Sequence, residues 1–285
     1  ETYEYEKAKN IQDRERPRVV SKTRPEGRYQ QISYYKKGHN EIHERDIKIK
    51  SREDDCYNRV ATITEPLGTN SDPVIAYQLL YNVSKKTHEG VTDVYDALNQ
   101  RRQFFFTKNR LTHINHYKGT SNHQNYRIER FFWGKEGYEG YLTNRSVDEE
   151  GKGTIFSHTY RYDTHGNILV DKMYGRITGT NDIGPQFDGD GEIIENGCDC
   201  YVKHFKYNEE YSRYNLLAEE EDYRSRSTYK YLEWSNLIYA KFISDKEKIR
   251  IRNFYDYDVN GMVIREITDN GSGEGREDLT DVTER

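Results

Sequence analysis

The chain has little of what builds a thick globular interior. Of its 285 residues two are Met, two are Trp and five are Pro, and hydrophobic residues of every kind reach only 33%. No apolar run approaches the roughly 18 residues that a membrane-crossing helix requires, and nothing near the start resembles the apolar centre of a signal peptide. The first residue is Glu1 rather than Met, so an excerpt of a longer polypeptide is expected. Three cysteines, Cys56, Cys198 and Cys200, cannot make a disulfide framework and leave at least one thiol unbridged. Charge of one sign is missing too. The 44 basic and 49 acidic residues are mixed along the chain and sum to -5, which offers no basic stripe for phosphates and argues against nucleic-acid binding.

What is present is tyrosine. A mean hydropathy of -1.11 leans toward the composition of disordered chains, yet 26 Tyr and 10 Phe bring the aromatic content to 13%, which disordered segments lack. A tyrosine ring can be buried while its hydroxyl reaches water or a backbone partner, so the balance suits thin sheets. Period-2 segments rich in β-forming residues predict strands at Tyr29–Tyr35, Val74–Tyr81, Thr154–Tyr162, Tyr201–Tyr207, Thr228–Leu232 and Ile249–Tyr257. Turn signals fall between them at Glu26-Gly27, Leu67-Gly68, Gly151 to Gly153, His165 to Asn167, Asp188 to Gly191 and Asn260-Gly261. The expected fold is all-β, an antiparallel meander of hairpins. Tyr211–Asp222 reads either as a short helix or as a strand and an acidic turn. Gly179–Gly197 and the tail from Asn270 read as the loosest stretches.

Internal repetition is the sharpest signal. The run from Tyr160 through Tyr162, Asp163, Gly166 and Asn167 to Leu169 matches the run from Tyr255 through Tyr257, Asp258 and Gly261 to Ile264, position for position. Tyr95 and Asp96 begin a third copy, with Asn99 in the glycine place, and looser copies start at Tyr34 and Phe105. Two aromatic residues at i and i+2 share one strand face, the Asp accepts backbone N–H bonds, and Gly or Asn takes the left-handed position that reverses the chain. A single hairpin of this kind cannot bury its own aromatic face, so neighbouring hairpins must lie side by side.

These residues resemble the RHS or YD-repeat family, whose signature reads approximately Y-x-Y-D-x-x-G-N-L with a later glycine, a place that Gly175 and Gly271 fill. Arg59 to Gly68 and Gly90 to Leu98 extend the resemblance, which covers most of Arg59–Gly271. It implies a curved, spiralling β-ribbon forming part of a hollow shell. The whole of 1–285 is then one repeat-built region, degenerate over 1–58 and clearer over about 59–115, 154–179 and 249–271. The resemblance further implies a secreted or surface-attached bacterial protein whose partners are the rest of its own shell and an enclosed C-terminal polypeptide, cargo or toxin. A boundary of the D-P-x-G-L type that precedes a family toxin is absent, so the expectation is shell wall without cargo or self-cleaving end.

Other chemistry reads less well. Phe254–Gly271 contains D-x-D-x-N-G, the opening of an EF-hand loop, but counting from Asp256 puts Ile267 where the bidentate twelfth ligand belongs. Asp182, Asp188, Asp190 and Glu192 form an acidic Gly-rich stretch, Cys198-x-Cys200 with His204 is short for zinc, and His113 and His116 alternate across a strand while His123 lies beyond. Solvated loops, free thiols and edge histidines account for these. No metal, cofactor or catalytic residue is assigned, since no nucleophile elbow, Walker loop or zinc-protease signature occurs. The alternative function class is a carbohydrate-binding or adhesive module that stacks cell-surface glycans on exposed aromatics, with Trp133 and Trp234 as the candidates.

Overall fold

The computed structural model describes residues 1–6, 18–25, 28–35, 59–66, 72–84, 86–118, 125–135, 137–179, 182–188, 192–194, 197–209, 215–245 and 248–284. The turn signals at Glu26-Gly27 and Leu67-Gly68, the loose copy after Tyr35, Cys56 and His123 lie outside them. The protein is all-β: among the described residues twenty-one strands form and no helix. Nineteen strands belong to antiparallel sheet and two make a separate small hairpin.

Two compact units divide the chain, Glu1–Phe131 with Val147–Gly153, and Phe132–Ser146 with Thr154–Arg285. The first holds β1 (Thr2–Tyr5), β2 (Val19–Thr23), β3 (Tyr29–Tyr34), β4 (Val60–Pro66), β5 (Pro73–Ser84), β6 (Glu89–Asp96), β7 (Arg101–Thr107), β8 (Arg110–Tyr117) and most of β9 (Asn125–Trp133). Each pairs antiparallel with the next. β10 (Leu142–Glu149) divides between the units.

The second unit holds β11 (Gly153–Tyr162), β12 (Ile168–Gly175), the short β13 (Gln186–Phe187) and β14 (Ile193–Ile194), then β15 (Asp199–Tyr207), β16 (Leu217–Glu221), β17 (Arg226–Tyr231), β18 (Ile238–Ser244), β19 (Ile249–Tyr257), β20 (Val263–Asp269) and β21 (Thr283–Glu284). Leaving out the β13–β14 hairpin, each strand from β11 to β21 again pairs antiparallel with the next. All six predicted strands form within a few residues of their expected bounds. The ambiguous 211–222 stretch resolves as strand, because Glu219, Glu220 and Glu221 alternate on β16 and find cations across it: Lys206 at 2.7 Å, Lys203 at 2.8 Å and Arg226 at 3.3 Å. Residues 211–214 are outside the described set.

Core packing in the second unit follows from register. Ala240 stands opposite Phe254, and Phe254 opposite Ile267, so all three share one face with Phe242. These four side chains form a fully buried cluster, with the two phenylalanine rings edge to face at 5.9 Å. Burying each such ring is worth about 1.5–3 kcal/mol. On that same face Arg252, opposite Phe242, is buried completely against Asp269 on β20.

Arg252 organises what the sequence suggests is a loose tail. Its Nε donates to Asp269 Oδ1 at 2.8 Å, its Nη2 donates to Asp269 Oδ2, and its Nη1 donates to Asp278 Oδ1 at 2.6 Å and to the carbonyls of Gly273 and Gly275. Thr280 N donates back to Asp269 at 3.0 Å. Gly271 lies so close over the guanidinium that a Cβ there would sit 1.9 Å from Nη2. Arg276 then covers Phe254 with its guanidinium 5.1 Å from the ring centre and pairs with Asp256 at 2.9 Å. The tail therefore closes the end of the core and has a defined path.

Replacing Arg252 by Met should cost about 3–5 kcal/mol, because a buried carboxylate loses its partner. Urea denaturation of the variant measures this, and a loss below about 1 kcal/mol would mean that the tail is held by something else.

Candidate functional site

The repeat motif is the site around which the second unit is built. In the two clearest copies the Asp following the tyrosine pair folds the turn around its own carboxylate. Asp163 Oδ1 accepts from the backbone N–H groups of His165 at 2.8 Å and Asn167 at 2.9 Å. Asp258 Oδ1 accepts from Asn260 at 2.9 Å and Met262 at 2.8 Å. Asp96 does the same with Leu98 and Gln100, both at 2.9 Å, in the first unit. The glycine position is left-handed each time, with φ of 88° at Gly166, 80° at Gly261 and 57° at Asn99. Three stretches far apart in sequence thus fold into one turn.

The carboxylates gain from this. At Asp258 the Met262 N–H leads in holding the acid below its ordinary range. At Asp163 burial pushes the other way, but the Asn167 side chain and the backbone N–H bonds prevail, and the acidity still rises. With its lone pairs committed to the turn, Asp258 is a turn-maker, and Asp256 faces Arg265 across the sheet. The D-x-D-x-N-G run is flanked by strands β19 and β20, where an EF-hand needs helices.

The tyrosines do something that strand alternation alone does not reveal. Tyr162 is the last residue of β11, and its hydroxyl donates to the carbonyl of Leu142, the first residue of β10, at 2.7 Å. Tyr257, last in β19, donates to Ile238, first in β18, at 2.7 Å. Tyr231, last in β17, donates to Leu217, first in β16, at 2.8 Å. Tyr34, last in β3, donates to Val19, first in β2, at 2.8 Å. Tyr207, last in β15, meets the backbone of Ile168, first in β12. In all five the strand register shifts by a bulge immediately before the tyrosine. A bulge adds local twist and re-aims the side chain, which turns the ring onto the neighbouring strand. At these five places a hairpin is thereby tied to the strand before it.

Two of these locks fall on candidate residues, Tyr162 and Tyr257. Tyr34 was among the loose copies, whereas Tyr207 and Tyr231 were not singled out. The signal was available, since Phe205-Lys-Tyr207 and Tyr229-Lys-Tyr231 are both aromatic-x-Tyr at a strand end. After Tyr231, Leu232 stands in the Asp place and Trp234 takes the left-handed position at φ 59°, so the turn closes by a bond from Leu232 N to Leu237 O at 2.8 Å. Missing Asp, it escapes a search for Tyr-Asp.

The other members of the motif have distinct parts. Tyr160 packs 6.5 Å from Tyr162, and its hydroxyl meets His158 Nδ1 at 2.9 Å, while the far nitrogen of His158 contacts Asp171 on β12. Tyr95 is buried in the first unit. Tyr255 precedes Tyr257 on β19, opposite Glu266. Gly175 lies where two strands come too close for a side chain: a Cβ would be 2.4 Å from the Ile155 carbonyl at a φ of 136°. Gly90, the first residue of a stretch that extends the resemblance, is held the same way against Val83. Asn167 also donates from its side chain to Asp163 at 2.8 Å.

The remaining candidates separate. Trp133 is half-buried at the end of β9, whereas Trp234 is 86% exposed on its turn, so the two lie on non-neighbouring elements. His113 stacks on Phe105 at 4.0 Å while His116 reaches Glu129 at 3.1 Å, opposite faces as the alternation requires. Among the described residues Cys198 and Cys200 are not bridged to each other. Asp188 and Glu192 close the β13–β14 hairpin, their intervening residues being outside the described set. Among the described residues no three His, Cys, Asp or Glu side chains gather as a metal site.

No family model and no curated protein matches the chain. Among solved structures it is similar to a porin-like protein from Bacteroides uniformis, with 10% identity and a TM-score of 0.30 over 90% of this chain and 88% of that one. It is also similar to TcdB2-TccC3, with 9% identity and a TM-score of 0.28 over 93% of this chain and 16% of that one. At such scores neither likeness defines the fold or the function of this chain.

Two outcomes follow from the geometry. Tyr162→Phe and Tyr257→Phe should each lower stability by about 1 kcal/mol, the worth of one hydrogen bond, while Tyr223→Phe, at an exposed ring, should change nothing measurable in urea titrations. Acid should loosen the sheet as well. The Tyr201 hydroxyl, with the backbone N–H groups of Ser225 and Arg224, holds Asp222 down from 3.8 to about 2. Below the ordinary carboxylate range the unfolded chain therefore binds more protons than the folded one. Stability is fully present above about pH 5 and falls as the pH drops through about 4 to 2. Urea midpoints measured across that range should shift less in Asp222→Asn than in the parent.

Proposed function

We propose that the chain is a segment of RHS- or YD-repeat wall, a non-enzymatic structural piece of a secreted or surface-attached bacterial protein, whose work is to enclose or carry a partner polypeptide. The observation that supports this reading most is the tyrosine lock. A device that ties a hairpin to its predecessor at five places makes sense where a ribbon must keep its spacing over many units, because in such an array each unit touches only its neighbours and stability is the sum of those contacts. The Asp-centred turn recurs with the same bonds at Asp96, Asp163 and Asp258, which is what repetition of one supersecondary unit requires.

The motif residues also argue for a mechanical role. Their polar groups are consumed internally: the Asp oxygens by turn N–H groups, the tyrosine hydroxyls by backbone carbonyls. Groups so engaged hold shape and have nothing left with which to move protons or attack a substrate. Within this reading the partners are the neighbouring hairpins of the same wall and the enclosed chain.

Protease protection of the whole parent polypeptide tests the proposal. A wall should survive limited digestion and shield the polypeptide linked to it. Digestion of that linked polypeptide at the rate of the free one, or turnover of a substrate abolished by substituting a motif residue, would remove the wall reading.

A further inference from the structure

We infer that the first unit carries a site for a small tetrahedral oxyanion such as phosphate, gripped by Arg102 and His116 in a cavity of about 220 Å³. The site does not depend on the wall reading. The cavity lies at one end of the sheet, where β6 and β8 end and β7 and β9 begin. Register brings the cations there: Arg102 stands opposite His116, and His116 opposite Arg127. Three side chains that can carry positive charge thus form a row across β7, β8 and β9, although like charges facing one another across strands are destabilising.

Neighbouring acids do not cancel that row. Glu129 is buried and shared between His116 at 3.1 Å and Arg127 at 3.2 Å. Arg102 has no ion pair or side-chain hydrogen bond among the described residues, and Arg127 Nε is buried with no hydrogen-bond partner among them. Arg101 also lines the cavity, fixed by Asp93 at 2.8 Å and lying 5.1 Å over the Tyr117 ring. Asp96 lines it too, with one oxygen committed to the turn N–H groups of Leu98 and Gln100. Tyr117 departs from the locks found elsewhere. It ends β8 after a bulge, yet its hydroxyl donates to the Gln103 side chain at 2.5 Å instead of to the carbonyl of Arg101, the first residue of β7. That unlocked strand end borders the cavity.

Size and donor geometry select the anion. Ligand pockets for larger molecules run to about 300–1,000 Å³, so about 220 Å³ suits a single ion with its waters. A planar carboxylate is matched by one guanidinium fork. Here the donors stand on two strands, and Arg101 and Arg102 alternate across β7, so they approach from several directions and suit four oxygens in a tetrahedron. His116 adds a proton to the balance. Burial above all holds its imidazole below the ordinary range; Glu129 on β9 opposes this, while Arg127 on β9 and Arg102 on β7 reinforce it. The Tyr126 ring meets the imidazole edge to face at 6.2 Å. A bound dianion would add its charge to that of Glu129 and favour the imidazolium, so proton and oxyanion strengthen each other's binding by the same factor.

Magnetic resonance titration of the histidines with inorganic phosphate, sulfate and acetate tests the site, the His116 signal being assigned by its loss in His116→Gln. Phosphate and sulfate should bind in the millimolar range or tighter and raise the pH at which His116 titrates, and acetate should bind about tenfold weaker. Sulfate does not titrate in this range, so it isolates the protein's own proton. Its affinity should be about fivefold or more higher at about pH 5.5 than at about pH 8. Arg102→Gln should weaken both tetrahedral anions about tenfold without moving the urea midpoint. Lys108→Gln, at the far end of the β7–β8 hairpin, should leave them unchanged. Absence of binding by phosphate and sulfate, equal affinity for acetate, or binding indifferent to Arg102 would overturn the assignment. So would a sulfate affinity that ignores pH, since His116 would then take no part in the grip.

Discussion

Everything in this fold depends on one constraint: a two-stranded hairpin has no interior of its own, so it must obtain both its packing and its position from its neighbours. At the ends of β3, β11, β15, β17 and β19 a tyrosine meets that constraint with a single side chain. Its ring covers the adjoining strand, and its hydroxyl satisfies the carbonyl where that strand begins, as Tyr257 does for Ile238 and Tyr162 for Leu142. The bulge before the tyrosine is necessary, because a regular pleat would point the ring away from the sheet plane rather than across it. Register, twist and lateral attachment are thereby fixed at the same residue.

Polar chemistry fills the space that a larger apolar core would occupy elsewhere. Asp163 and Asp258 close turns that glycine alone would leave floppy, and the alternating glutamates of β16 pair with lysine and arginine on the strands beside them. Exposed pairs of that sort contribute little each. Arg252 is different, since burial removes the competition of water, and five N–H groups in a rigid fork are matched by two carboxylates and three carbonyls. It seals the last apolar cluster beneath a segment that has almost no hydrophobic residues.

Much of the architecture was legible in sequence. Period-2 runs located the strands, Asn-Gly and His-Gly-Asn located turns, and the matching of Tyr160–Leu169 with Tyr255–Ile264 found the repeat. Tyr231 was missed because Leu232 replaces the Asp that makes the motif recognisable, although the lock itself needs only the tyrosine. Gly271 was read only as the late glycine of the repeat, and what crowds it lies far back in the chain on β19, in the guanidinium of Arg252 that admits no Cβ. The tail looked loose for the same reason: its glycines and acids carry no periodic pattern, and only the buried arginine gives them an order.

The sequence by itself determined the all-β class, the antiparallel hairpins and the turn chemistry, because alternation and left-handed positions are written in nearest neighbours along the chain. Only the tertiary structure decided where the tyrosine hydroxyls go, which acids are paired, and that Arg252 is buried with Asp269. Those partners stand on different strands, and a bulge of one residue changes which side chain meets which carbonyl. No local pattern records that choice, since it is made by the sheet as a whole.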